Sequence, residues 1–219
     1  MLRKHKRLTK KELKKDPLVI FTAQAVDYLR KEWLKIGSTV LAVVLVISIS
    51  LIVVKGRRKS AMNAYDAAMT AIANDAPEAL DLLKRVVEDH EGSKRAGDAL
   101  IKLGNSYFQL NDLDSAEKYY SQYINRFSND PVYTFNAYNG LGGVYEEKGE
   151  YGKAGETYEK YIKKHKNSIF ISNMCLNAGK AYYLSGDKDS ARRNFLIITN
   201  DYKDSREKQE ASYFLELLN

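Results

Sequence analysis

The chain has 219 residues, with 35 Lys and Arg against 28 Asp and Glu, one cysteine and three prolines. A single cysteine excludes an intrachain disulfide framework, and the scarcity of proline beside abundant Ala, Leu, Lys, Glu and Tyr favours an all-helical chain. The formal charge of +7 is unevenly divided: residues 1–59 hold 15 basic and 4 acidic side chains, residues 60–219 hold 20 and 24. The soluble part is therefore mildly acidic, with no reason to seek phosphate backbones.

The first element in chain order is a basic tail containing Arg3, Lys4, Lys6, Arg7, Lys10, Lys11, Lys14 and Lys15. Asp16-Pro17 then reads as an N-cap followed by proline at the first helical position. Leu18, Phe21, Ala25, Leu29 and Trp33 recur at helical spacing. They predict a juxtamembrane amphipathic helix. It leads into the following span with the basic tail drawn to anionic lipid, lies in the interface with Trp33 and Lys35 at headgroup level, or docks on a partner's cytoplasmic face.

Ile36 to Val54 follow, 19 residues without a charge. At 1.5 Å per residue they span about 28 Å, close to the roughly 30 Å of a bilayer's hydrocarbon core. The run is longer than a usual signal-peptide core. It is preceded by 35 residues and followed by KGRRK rather than a small-x-small cleavage site. No cysteine suited to lipidation stands near it, so it reads as a retained transmembrane helix. Eleven basic residues precede it and four follow at once (Lys55, Arg57, Arg58, Lys59). This asymmetry predicts a cytoplasmic N-terminus and a C-terminal domain on the far side. The expected organisation is a tail and amphipathic helix over 1–35, a span over 36–54 and a soluble domain over 55–219.

The soluble domain repeats itself. Three gapless copies begin at Leu103 (LGNSYFQLNDLDSAEKYYSQY), Leu141 (LGGVYEEKGEYGKAGETYEKY) and Ala178 (AGKAYYLSGDKDSARRNFLII). Each has a glycine (Gly104, Gly142, Gly179), an aromatic three residues on (Tyr107, Tyr145, Tyr182) and an alanine twelve on (Ala116, Ala154, Ala191). A second aromatic follows sixteen residues after each glycine (Tyr120, Tyr158, Phe195), and the period is 38, then 37. Small residues at this spacing suit the contact between two antiparallel helices, with aromatics filling the space between units. Asn111, Gly149 and Gly186 occupy the turn in a left-handed conformation. Asp112, Glu150 and Asp187 are placed to open the next helix. A worn fourth copy precedes these, with Ala79, Leu83 and His90 in register with Ala116, Tyr120 and Phe127. Residues 205–219 read as an amphipathic helix closing the far end.

The pattern resembles the tetratricopeptide repeat, x-x-L-G-x-x-Y followed by A-x-x-x-F, over residues 97–201. The period exceeds the family's 34, with the extra length falling around Phe127–Pro131, His165–Ser168 and Tyr202–Ser205. The resemblance implies an all-α, right-handed helical solenoid of about four helix-turn-helix units plus a capping helix. The whole layout of basic tail, signal anchor and repeat domain resembles the YfgM-type bacterial inner-membrane proteins. That family is associated with the Sec translocon and periplasmic chaperones. The long period also resembles lipoproteins of the BamD type, whose lipidated cysteine this chain lacks near its N-terminus.

Residues that imitate chemistry have repeat-register explanations. Cys175 matches Leu100 and Tyr138 on the packed face of a first helix, so it reads as a structural thiol. His90 and His165 fall where Phe127 and Tyr202 stand, and His5 lies in the basic tail. No histidine pair has metal-ligand spacing and no Ser-His-Asp or Cys-His set is suggested. The glycines of Gly140-Leu141-Gly142-Gly143 follow no strand and precede no Lys-Ser/Thr. The acidic turns NDLD and GDKD do not extend into a twelve-residue calcium loop. No catalytic residue, metal or cofactor is expected.

In the fold that the resemblance implies, the first helix of each unit lines a concave groove. Register assigns to it Asp98, Ile101, Asn105 and Phe108; then Asn136, Asn139, Gly143 and Glu146; then Asn173, Leu176, Lys180 and Tyr183. Asn side chains there suit an extended peptide backbone, and Ile101, Phe108, Leu176 and Tyr183 offer apolar contacts. Only Asn105 and Lys180 match the residues with which cytosolic relatives clamp a terminal carboxylate, so that specificity is not implied. The expectation is a scaffold in the bacterial inner membrane facing the periplasm. Its partners would be translocon subunits, chaperones or secreted chains. The alternative is a structural subunit of a larger envelope assembly.

Overall fold

The computed structural model describes residues 17–127 and 130–218. The basic tail, the capping role of Asp16 and the expectation for His5 lie outside them. All regular structure among the described residues is helical. The chain divides into two compact units between Gly56 and Arg57.

The first unit is built from α1, Pro17–Ala73, up to Gly56. Pro17 is its first helical residue, where a missing N–H costs nothing. Ser38 Oγ and Thr39 Oγ1 both donate to the Lys35 carbonyl, which keeps their hydroxyls satisfied on an otherwise apolar helix. The expected amphipathic segment and the apolar run form one continuous helix. The helix is long and apolar enough to cross a membrane, and none of its most apolar stretch is buried within the protein.

The second unit begins at Arg57 and contains the last turns of α1. It continues with α2 (Ala79–Asp89), α3 (Lys94–Gln109), α4 (Leu113–Arg126), α5 (Pro131–Glu147), α6 (Tyr151–Lys164), α7 (Ile171–Ser185), α8 (Lys188–Asp201) and α9 (Lys208–Leu217). From α2 onward each helix packs on the next, and α3 also touches α5. This is the nearest-neighbour stacking of a helical solenoid. Two hydrophobic clusters result, one from Tyr65 to Val144 and one from Tyr138 to Leu218, and Ile124 and Tyr145 pack against both.

Within each unit the register glycine is the seat of the register aromatic. A methyl group added at Gly104 would lie 2.6 Å from the Tyr120 ring, and one at Gly142 would strike Tyr158. Ala116, Ala154 and Ala191 are fully buried at the same helix contact. Two glycines outside the register do the same job between neighbouring elements: Gly140 receives Tyr120 and Gly155 receives Tyr182. Gly140 and Gly142 are thus ring seats on one helix.

The turns follow the expected chemistry with one difference. Asn111, Gly149 and Gly186 have φ of 58°, 74° and 84°. The Asp112 N–H reaches the Tyr107 carbonyl at 2.9 Å and the Asn111 N–H reaches Phe108 at 3.0 Å, the paired bonds of a Schellman stop. Asp112 Oδ1 accepts the Ser115 N–H at 3.1 Å, and Asp187 Oδ1 accepts that of Ser190 at 3.0 Å. Glu150 makes no such cap; its longer side chain instead pairs with Lys153 at 2.7 Å.

The worn first unit is formed by the end of α1 and by α2, with Ala61, Ala68, Leu83 and Val86 buried. His90, Phe127, His165 and Tyr202 occupy one structural slot, the C-cap of α2, α4, α6 and α8. At the far end, α9 takes the place of a first helix. Its Ala211 continues the register of Ala99, Ala137 and Met174, and all four are fully buried. Phe214 stacks on Phe195 at 5.0 Å, and Arg192 donates to the Leu218 carbonyl at 2.5 Å.

Candidate partner-binding groove

The register residues of α3, α5 and α7 divide by depth. Asp98, Ile101 and Leu176 are only 2%, 1% and 6% exposed, so they contribute packing and little surface. Asp98 is held by Arg95 at 2.8 Å, and the Arg95 guanidinium lies over the Tyr65 ring at 5.2 Å. Ile101 joins the first hydrophobic cluster and Leu176 the second. The burial follows from the phase of these positions, which turns an apolar side chain toward the neighbouring helix.

The other positions keep surface. Asn105 is exposed, and Phe108, Asn136, Asn139, Gly143, Glu146, Asn173, Lys180 and Tyr183 are half-buried. Phe108 lies beside Gly143, where an added methyl would be 3.8 Å from its ring. The absence of a side chain at Gly143 therefore leaves the Phe108 ring its space between α3 and α5.

Several of these groups are joined by hydrogen bonds. Asn177 Nδ2 donates to Asn139 Oδ1 at 2.8 Å and approaches Asn173 Oδ1 at 3.4 Å, linking α5 to α7 through amides. The buried Tyr120 and Tyr158 send their hydroxyls out to this face, donating to Asn105 Oδ1 at 2.7 Å and to Glu146 Oε1 at 3.2 Å. Burial pushes the Glu146 carboxyl above its ordinary range, and the Tyr158 bond pulls it part of the way back. Lys180 pairs with Glu210 of α9 at 2.9 Å. Tyr183 meets Phe214 edge-on at 5.4 Å. The capping helix thus completes one end of the face.

Asn177 and Glu210 are groove residues that register reasoning missed. Asn177 stands four residues after Asn173, the spacing of neighbours on one helix face, and that spacing was the available signal. Glu210 stands in register with Asp98, Asn136 and Asn173, and extending the repeat into α9 through Ala211 would have found it.

Cys175 is fully buried, and burial pushes its thiol up to about 12. It is a packing residue, as its register with Leu100 and Tyr138 indicated.

Models of the tetratricopeptide repeat family match residues 70–134 and 135–163. No curated protein matches the chain. Among solved structures, the crystal structure of PcrH from Pseudomonas aeruginosa is similar over 57% of this chain and 93% of its own, with 21% identity and a TM-score of 0.47. Residues 70–163 therefore carry tetratricopeptide repeats. The matched stretch begins in the worn unit, and α7 and α8 continue the same glycine-aromatic packing beyond it.

Proposed function

We propose that this chain is a membrane-anchored scaffold that binds protein partners through the face formed by α3, α5 and α7. In this reading α1 crosses the inner membrane through Ile36–Val54. Its N-terminus is cytoplasmic and the repeats lie in the periplasm. The partners are the Sec translocon, periplasmic chaperones or secreted client chains. No enzymatic turnover, cofactor or nucleic acid is involved.

The observation that carries the reading is the amide-lined face itself. Asn136, Asn139 and Asn173 present partly exposed amides on two consecutive first helices, with Phe108 and Tyr183 as apolar flanks. Amides that both donate and accept match the alternating N–H and C=O groups of an extended chain. Support for the anchor comes from the exposed apolar surface of α1, which water alone does not tolerate on this scale. A second reading is a structural subunit of a larger envelope assembly. It is favoured by α9, which closes one end of the groove while leaving Tyr213 and Leu217 exposed.

Photo-crosslinking in cells from Asn136 or Phe108 tests the first reading. Capture of a translocon subunit, chaperone or secreted chain supports it, and no adduct at either position removes it. Gentle purification of the full chain yielding fixed-stoichiometry partners, joined through Tyr213 and not through Asn136, favours the second. A reporter active only outside the cytoplasm and joined to the C-terminus is expected to be active; silence inverts the topology.

A further inference from the structure

The turns that lengthen the repeat period create a second kind of site, at the N-terminal ends of the first helices. Where α6 leads into α7, residues 165–170 stand against the first turn of α5 and enclose a cleft of about 550 Å³. One repeat earlier, where α4 leads into α5, the equivalent cleft is about 360 Å³. The two share a plan: Tyr161 and His165 in one take the places of Tyr123 and Phe127 in the other.

Their charges differ. In the earlier cleft Lys94 faces Asp130 at 3.8 Å, and Asp98 is also in the wall, paired with Arg95. That site is internally compensated. In the later cleft the wall contains Lys164 and Lys166 and no acidic residue. No carboxylate among the described residues lies within ion-pair distance of either lysine. Between them the cleft presents unusual apolar surface: Ile169 is 87% exposed and Val132 52%. Behind these, Phe170 stacks on Phe135 at 4.2 Å, giving a rigid apolar wall.

We propose that this cleft is a docking site for an acidic peptide segment of a partner protein, one with a bulky apolar residue flanked by carboxylates. The apolar side chain seats between Val132, Ile169 and Phe170, and the carboxylates meet Lys164 and Lys166. Two uncompensated ammonium groups beside an exposed apolar pit fit such a segment and repel a basic one. A cavity of this volume accommodates a leucine or phenylalanine side chain with its neighbouring backbone. Val132 stands four residues before Asn136 on α5, so the cleft adjoins the amide-lined face at the N-terminal end of that helix and adds a charged apolar pit to it.

The test uses the full chain in lipid nanodiscs and fluorescein-labelled octapeptides read by anisotropy. The peptides carry a central Leu among Asp and Glu, the same Leu among Lys, or Ser in place of Leu. The acidic Leu peptide is expected to bind, with affinity falling as salt is raised. Both controls are expected to bind about tenfold more weakly or not at all. K164E/K166E and, separately, I169S are each expected to weaken the acidic Leu peptide about tenfold. K118E, an equivalent charge reversal on α4 outside both sites, leaves it unchanged. The substituted residues are on the surface, and an unchanged circular-dichroism melt verifies that each variant is folded. Equal binding of the three peptides, binding insensitive to K164E/K166E and I169S, or equal loss on K118E overturns the proposal. So does concentration-dependent self-association abolished by I169S, which would make the occupant a second copy of this chain. Binding of empty anionic nanodiscs that depends on Lys164 and Lys166 would make it a lipid surface, with the same consequence.

Discussion

Gly179→Ala and Gly152→Ala are one chemical change with opposite expected signs. Alanine is favoured over glycine inside a helix by about 1 kcal/mol. At Gly152, in the first turn of α6, an added methyl meets nothing within 4 Å. There the backbone preference acts alone, and a gain of about 0.5 kcal/mol is expected so near the helix start. At Gly179 the methyl would lie 2.5 Å from Cε1 of Phe195 and 2.8 Å from its Cδ1 and Cζ. That ring cannot retreat, because it is fully buried and stacked on Phe214 with an interplanar angle of 8°. Overpacking of this kind costs about 1–3 kcal/mol. After the helical gain offsets part of it, a net loss of about 1–2 kcal/mol remains. For the whole second unit, Arg57–Asn219, 1 kcal/mol shifts the midpoint by about 2–4 °C. Gly179→Ala should therefore lower the melting temperature by about 2–8 °C, while Gly152→Ala raises it by about 1–2 °C. Far-UV circular dichroism of the full chain in detergent, heated in parallel with the parent, measures both. Adding Phe195→Leu to Gly179→Ala should restore more than the two single changes allow, by about 1 kcal/mol of coupling. Equal gains from the two glycine substitutions, or strict additivity with Phe195→Leu, would refute the seating of the ring on the glycine.

Three further outcomes are expected. Burial, aided by the charge of Lys164, holds His165 below its ordinary 6.5; as pH falls through 6.5 the unfolded chain takes up a proton that the folded chain refuses, so stability drops. His165→Phe, which copies the slot's occupant in the preceding unit, should reduce the difference in urea midpoint between about pH 7.5 and about pH 5.5, and an unreduced difference counts against the reading. Lys148 bridges Asp114 at 2.8 Å and Glu117 at 2.6 Å, and its hydrogen bond holds the Glu117 carboxyl below 4.5. Stability from this depressed carboxyl is present above 4.5 and lost as pH falls through its folded value, so Lys148→Gln should cost about 1 kcal/mol near neutrality and progressively less in acid; a pH-independent cost would exclude the mechanism. Cys175, fully buried with its thiol raised to about 12, should react with a maleimide at neutral pH only after the repeats unfold, and rapid native labelling would contradict its packing role.

The repeat was legible because its spacing is the imprint of a helix contact. Gly104, Ala116 and Tyr120 recur together since the ring needs the missing side chain opposite it, and any larger residue there separates the helices. Gly140 and Gly155 escaped the same reasoning. Gly140 serves Tyr120 of the preceding unit, and its register partners are Lys102 and Asn177. A contact formed once between units leaves no periodic trace. Glu150 shows a similar limit: position named it as a cap, but the extra methylene took its carboxylate to Lys153 instead.

The groove was legible in phase and not in depth. Ile101, Asn139 and Leu176 are register partners, yet the two apolar residues are packed into the core while the asparagine remains half-buried. The solenoid does not dictate whether this position is surface, because the side chain itself decides. An apolar residue closes against the adjacent helix and removes itself from water. An amide resists that closure unless its oxygen and nitrogen both find partners, and at Asn139 the partner is Asn177, from the next first helix. The amide bridge spans α5 and α7 where aliphatic packing serves the other units. It keeps hydrogen-bonding capacity at the surface in the stretch that also carries Asn136 and Asn173. A leucine at position 139 would extend the core contact seen at Ile101 and Leu176, and it would leave the Asn177 amide without its α5 acceptor. Asparagine at this register position therefore keeps the middle of the face polar, where isoleucine and leucine close the equivalent positions of the neighbouring units.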